Sequence, residues 1–158
     1  MQRRNTSRLT GFSLLELIVV VVIIGIIAAV AIPRLSRGSA GAADAALSGD
    51  LAVLRNAIDL YSAEHTGAFP KLTAVADAMT KYTDSAGGVA TTKDATHIYG
   101  PYVRKVPPLP VGARRGGAVI DSKDGNGVGW IYDEVTGNIS ANTTAKEIDE
   151  GGKLYSDY

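Results

Sequence analysis

A chain of 158 residues with 16 basic and 16 acidic side chains, and so no formal net charge, has room for one modest globular domain and offers no broad positive face to a nucleic acid. It contains no cysteine, which excludes disulfides, thiolate catalysis and cysteine-held zinc or iron-sulfur centres. Its two histidines, His65 and His97, stand far apart with no ligand motif beside either, and no Ser-His-Asp order, phosphate loop or catalytic carboxylate pair stands out, so the sequence points away from an enzyme.

Residues 1–11 carry Arg3, Arg4 and Arg8 and no acid, the charge pattern of an export leader whose start stays in the cytoplasm. Residues 12–32 then form an apolar run of 21 residues whose single charge is Glu16. As a helix this run is about 31 Å long, enough to cross a bilayer. Fifteen of its members are Leu, Ile, Val or Phe. Together they favour insertion by roughly 7 kcal/mol, against ~3 kcal/mol for one carboxylate at the membrane centre. Insertion wins, and the acid is left to be explained. An ordinary secretory signal would be cut after the small-x-small sequence Ala29-Val30-Ala31, but its apolar core is usually shorter and lacks an early acid. Arg34 and Arg37 follow the run, so the charge bias that sets orientation is small.

The sequence Gly11-Phe12-Ser13-Leu14-Leu15-Glu16-Leu17 resembles the class III signal of type IV pilins and of type II secretion pseudopilins. The resemblance implies a leader, residues 1–11, removed by a prepilin peptidase after Gly11. It implies that Phe12 becomes an N-methylated mature terminus and that Glu16 is the acid used in assembly. Gly25 and Pro33 fall where relatives carry helix-weakening residues, which implies a stretch that kinks or melts in the filament. Cleavage would also create an α-amine, of pKa near ~8, that is cationic at neutral pH and can pair with Glu16 of its own chain or of a neighbour.

Pro33 lacks a donor and disfavours helix at the residue before it, which predicts a kink near Ile32. The helix is expected to resume over residues 33–65 as an amphipathic continuation. Within it Leu47, Leu51, Leu54, Ile58 and Tyr61 recur at intervals of four, three, four and three, as one stripe. Gly67 and Pro70 mark its end. The sequence Gly67-Ala68-Phe69-Pro70 also resembles the element that follows the long helix in many pseudopilins.

Leu72, Val75, Met79 and Tyr82 have the spacing of a short second helix, residues 83–97 read as loop, and residues 98–110 with four prolines read as extended chain. Tyr102-Val103-Arg104-Lys105-Val106-Pro107 resembles the pseudopilin connection that precedes the sheet. Three short strands are predicted at residues 118–121, 128–132 and 138–141, separated by Asp124-Gly125-Asn126-Gly127 and Val135-Thr136-Gly137. They are expected to pair antiparallel and to bury Val119, Trp130, Tyr132 and Ile139 against the helix. Residues 66–142 form the expected globular head, and residues 143–158 a polar tail with weak structure.

The fold class expected is therefore α+β and pilin-like: a long N-terminal helix, transmembrane then amphipathic, packed on a small antiparallel sheet of about three strands. The resemblance implies a single-pass protein of the bacterial inner membrane with its head in the periplasm. Its implied partners are identical or related pilin-like subunits, the prepilin peptidase, an inner-membrane assembly platform and lipid, with no nucleic acid. Many pilins close the C-terminal region with a disulfide, so the lack of cysteine favours a secretion pseudopilin over a pilus subunit. A non-polymerising secreted or anchored binding protein is the alternative of another class. No cofactor is expected. Asp121, Asp124 and Asn126 sit where major pseudopilins carry a calcium site, although no EF-hand register is present.

Overall fold

The structure, a computed structural model, describes residues 12–158, with the main chain alone over residues 33–37. Gly11 and the leader lie outside the described residues. The chain divides into two compact units, Met1–Gly38 and Ser39–Tyr158, and one helix, α1 (Leu14–Glu64), contributes to both. The helical assignment runs unbroken through Gly25 and Pro33.

Within Ser39–Tyr158 the predicted stripe is the spine of the core. Leu47, Leu51, Leu54, Ile58 and Tyr61 are all buried, and the first four join one cluster with Val75, Met79, Leu109, Ile120, Trp130, Tyr132 and Ile139. Each large aliphatic side chain taken out of water contributes about 1.5–3 kcal/mol, so this one face of the helix organises the unit. The two buried aromatic side chains of the sheet carry polar atoms and both are satisfied. Trp130 Nε1 donates to the Pro107 carbonyl at 2.8 Å and the Tyr132 hydroxyl to the Pro70 carbonyl at 2.9 Å. The helix ends where Thr66 (φ 58°) and Gly67 (φ 85°) turn left-handed and the Gly67 amide closes on the Ser62 carbonyl.

Helix α2 (Val75–Thr80) is shorter than the apolar spacing predicted, because Tyr82 belongs to the next element. Strands β1 (Tyr82–Thr83) and β2 (Val89–Ala90) pair antiparallel inside the segment expected to be loop. The cause is local: the Asp84 carboxylate accepts the amides of Ala86 and Gly88, closing a turn that sets Val89 opposite Thr83. Residues 98–110 lie outside the named strands apart from the Thr83–Tyr99 bridge, and Tyr102 and Val103 both donate their amides to the Met79 carbonyl at the end of α2.

Strands β3 (Val119–Asp121), β4 (Val128–Tyr132) and β5 (Ile139–Ala141) form a three-stranded sheet in the order β3-β4-β5. The α+β architecture holds, but the sheet is mixed: β4 and β5 are antiparallel, whereas β3 and β4 are parallel. Residues 122–127 do not make a two-residue hairpin; they carry the chain back to the starting edge, with Gly127 at φ 75°. A register shift between Val119 and Ile120 accompanies the pairing. That shift corrects the predicted core as well. Ile120 is buried and Val119 is 51% exposed, while Trp130, Tyr132 and Ile139 are buried as expected.

The last sixteen residues have little regular structure, an isolated bridge between Ile148 and Leu154 and a 3-10 turn at Tyr155–Asp157, yet they are not a loose tail. The Tyr155 hydroxyl and the Glu150 amide both donate to the Asp44 carboxylate of α1, at 2.8 and 3.1 Å, and Tyr155 and Tyr158 pack against the core.

Candidate functional site

The candidate site is the start of α1. Phe12 is 81% exposed and precedes the helix; Ser13 supplies the first helical acceptor, its carbonyl taking the Leu17 amide at 3.1 Å. Glu16 lies in the first helical turn, where unpaired amides and the helix dipole favour a negative charge. Phe12 and Glu16 are four residues apart, close to one helical turn in sequence, although Phe12 itself precedes the helical residues. The stretch Leu14–Ile32 is long and apolar enough to span a membrane, and its side chains are not buried within its own unit. Gly25 sits inside this stretch with nothing within 4 Å of where a Cβ would stand, so no close contact explains the glycine. Pro33 lies within the helical run, and Gly11 lies outside the described residues.

Asp121 and Asp124, weighed above as calcium ligands, are engaged by other groups. Asp124 Oδ2 accepts from the Arg114 guanidinium at 2.6 Å and Oδ1 from the Asn142 amide at 2.8 Å. These two contacts, the arginine first, hold its carboxyl below the usual carboxylate range. A guanidinium already occupies the place a cation would take, and Asp121 Oδ1 is turned onto the Ser122 amide. Among the described residues no three acidic or histidine side chains are grouped to hold a metal.

Other polar groups that shape the second unit were invisible to sequence reasoning. The Tyr102 hydroxyl donates to Glu64 at 2.6 Å, and burial followed by that contact pushes its ionisation upward. Arg55 donates to the main-chain oxygens of Ile139 and Tyr158. Asp44 and Arg55 could be seen as charges on the helix, but their partners lie more than eighty residues away and no local signal pairs them.

Residues 7–32 match the prokaryotic N-terminal methylation motif. The start of this chain is thus a type IV pilin-like prepilin signal, and the match covers the junction, Phe12, Glu16 and the apolar helix together. A prepilin signal followed by an exposed apolar helix suits membrane anchoring. No curated protein and no solved structure matches the chain.

Proposed function

We propose that the chain is a prepilin whose mature form is a structural subunit of a type IV-like filament, and within that class a pseudopilin of the type II secretion system. The observation that carries the reading is the coincidence of the methylation motif over residues 7–32 with an apolar helix that buries none of its side chains in its own unit. Such a helix needs a surrounding of lipid or of other helices, and a filament core of packed helices replaces one with the other. In this reading the peptidase cuts after Gly11, Phe12 is methylated, and the new amine and Glu16 form the charge pair that admits the subunit to the filament. Gly25 and Pro33 are the positions at which the helix loosens during extraction. The head stands on the periplasmic side, and the work done is assembly rather than catalysis.

The absence of cysteine, the Phe69-Pro70 element and the Val106-Pro107 connection favour the secretion branch. Mass spectrometry of the protein purified from its native membrane tests the class: N-methylphenylalanine at Phe12 is expected, and a mature chain starting at Ile32 would overturn it. Deletion tests the branch. Loss of exoprotein release with surface fibres intact is expected, and loss of fibres with secretion intact would move the protein to the pilus.

A further inference from the structure

The loop between β3 and β4 contains two adjacent pairs in which an aspartyl-type side chain precedes glycine, Asp124-Gly125 and Asn126-Gly127. In such a pair the glycine amide has no side chain to hinder it and can turn onto the preceding side-chain carbonyl. The fold treats the two pairs oppositely. Asp124 has both carboxylate oxygens engaged, Oδ2 by Arg114 at 2.6 Å and Oδ1 by Asn142 at 2.8 Å. A carboxyl group is attacked as the neutral acid, and these donors, the arginine first, keep Asp124 ionised. Asn126 is exposed, and its carboxamide makes no hydrogen bond among the described residues. The Gly127 amide lies ahead of β4, outside the strand pairing, and donates to no carbonyl among the described residues.

The other described asparagines lack this combination. Asn56 is in α1, where the helical ladder holds the amide that follows it. Asn138 precedes the β-branched Ile139, which is fixed opposite Tyr132. Asn142 is buried and donates its amide protons to Asp124 and to the Val128 carbonyl, both at 2.8 Å.

We propose that Asn126 is a self-modification site, at which the Gly127 amide displaces ammonia from the Asn126 side chain and the resulting succinimide opens to a mixture of aspartate and isoaspartate. The Gly127 nitrogen bonds to Cγ of Asn126 and the Cγ–Nδ2 bond breaks. The proton from the Gly127 nitrogen leaves with the amine as ammonia, so nothing is oxidised or reduced. Water then adds across one of the two ring C–N bonds. Opening at Cγ restores the ordinary main chain with an aspartate; opening at the main-chain carbonyl carbon routes the chain through the side-chain methylene.

The site sits where that rearrangement matters. The Val119 amide donates to the Gly127 carbonyl at 3.1 Å, and the Val128 amide to the Gly125 carbonyl at 3.3 Å, so Asn126 is bracketed by the bonds that start the β3–β4 pairing. An added main-chain atom between them displaces one acceptor relative to the other. The chain has no formal net charge, so every event also carries it to the acidic side.

The test ages the full chain in detergent micelles in warm neutral buffer made with heavy-oxygen water, beside the free peptide of residues 122–128. Isoelectric focusing is expected to show an acidic form accumulating. Peptide mapping should place the labelled oxygen at residue 126, and a protein isoaspartate methyltransferase should methylate part of the product. The rate should be within about tenfold of the free peptide and at least about tenfold above that at Asn56, Asn138 or Asn142. In the isoaspartyl fraction amide protection of Val119 and Val128 should fall about fivefold, while Leu51 and Leu54 keep theirs. Asn126→Gln should stay neutral over the same period, and Arg114→Gln should let isoaspartate appear at Asp124. An intact Asn126 when the peptide has fully reacted would overturn the proposal, as would an acidic form spread over the other asparagines. Aspartate without any isoaspartate would mean direct hydrolysis and would overturn the ring step. An Asp124 that stays unrearranged in Arg114→Gln would overturn the protective role given to that arginine.

Discussion

The guanidinium of Arg55 on α1 donates to the main-chain oxygen of Tyr158 at 2.7 Å and also to that of Ile139 at 3.2 Å, so one helical side chain secures both the edge strand β5 and the final turn. Arg55→Ala leaves these two acceptors without their charged donor and is expected to cost about 1.5–3 kcal/mol of unfolding free energy. Arg55→Lys keeps the charge but loses the planar fork and should recover part of that. Chemical denaturation followed by Trp130 fluorescence measures both. A loss under about 0.5 kcal/mol for Arg55→Ala, the scale of an ordinary surface change, would show that the contact does not hold the C-terminal segment.

Tyr155 holds the same C-terminal segment to α1 through Asp44. Burial, and then its bond to Asp44, push its ionisation up to about 12 from an ordinary value of 10.0. The folded state therefore holds this proton more tightly than the unfolded state. Its contribution is complete below pH 10 and is lost as pH rises from there through about 12. Stability measured against pH should decline across that window, and Tyr155→Phe should flatten part of the decline; an unchanged curve in the variant would remove Tyr155 from the account. Tyrosinate absorbance titration provides the independent readout.

Two glycines separate local freedom from local necessity. Gly137 adopts φ 73°, and a Cβ there would collide with the Phe69 ring. Gly137→Ala combines a left-handed alanine with overpacking and is expected to destabilise by about 2–4 kcal/mol. Gly49 lies in α1 with open space for 4 Å around the place a Cβ would take, so Gly49→Ala should stabilise by about 0.5–1 kcal/mol. Thermal denaturation of the pair reads both signs in one experiment.

The long helix and its stripe were legible because they are written locally: Leu47, Leu51, Leu54 and Ile58 repeat with the helical period over three turns, and burial of that face follows. The second unit was legible only in outline. A strand of three residues carries too little alternation to fix its register, so Val119 and Ile120 could not be told apart, and the parallel pairing of β3 with β4 depends on how residues 122–127 return. The contacts of Asp44 and Arg55 with the C-terminal segment span most of the chain, and periodicity contains nothing of them. The start of α1 was the most legible part, because the junction, the acid and the apolar run are adjacent in sequence.

The loop after β3 makes a prediction about calcium. With Asp124 held by Arg114 and Asn142, millimolar calcium should leave the melting temperature of the chain unchanged, and Asp124→Ala should lower it equally with and without calcium. A calcium-dependent rise in the unmodified chain, lost in Asp124→Ala, would mean that Arg114 swings away and that the loop is a cation site. Since Arg114 and Asn142 stabilise the ionised form of Asp124, their contribution is present above the ordinary carboxylate range and is lost as pH falls through the lowered value.

Glu16 and Gly11 test assembly. A lone carboxylate costs ~3 kcal/mol near the membrane centre, whereas the fifteen large apolar residues of the run favour insertion by more than twice that, so Glu16→Ala should insert at least as well as the native chain. In the proposed reading it removes the partner of the amine that cleavage would create. Gly11→Leu removes the small residue at the junction, and in the same reading it should keep the leader attached and leave Glu16 without that amine. Both variants are therefore expected in the inner membrane at normal levels and absent from filaments, with Gly11→Leu retaining residues 1–11 by mass spectrometry and Glu16→Ala processed normally. Membrane fractionation together with filament shearing and immunoblotting distinguishes the outcomes. Normal incorporation of Glu16→Ala would dissociate the acid from assembly and leave the apolar helix as the sole driver.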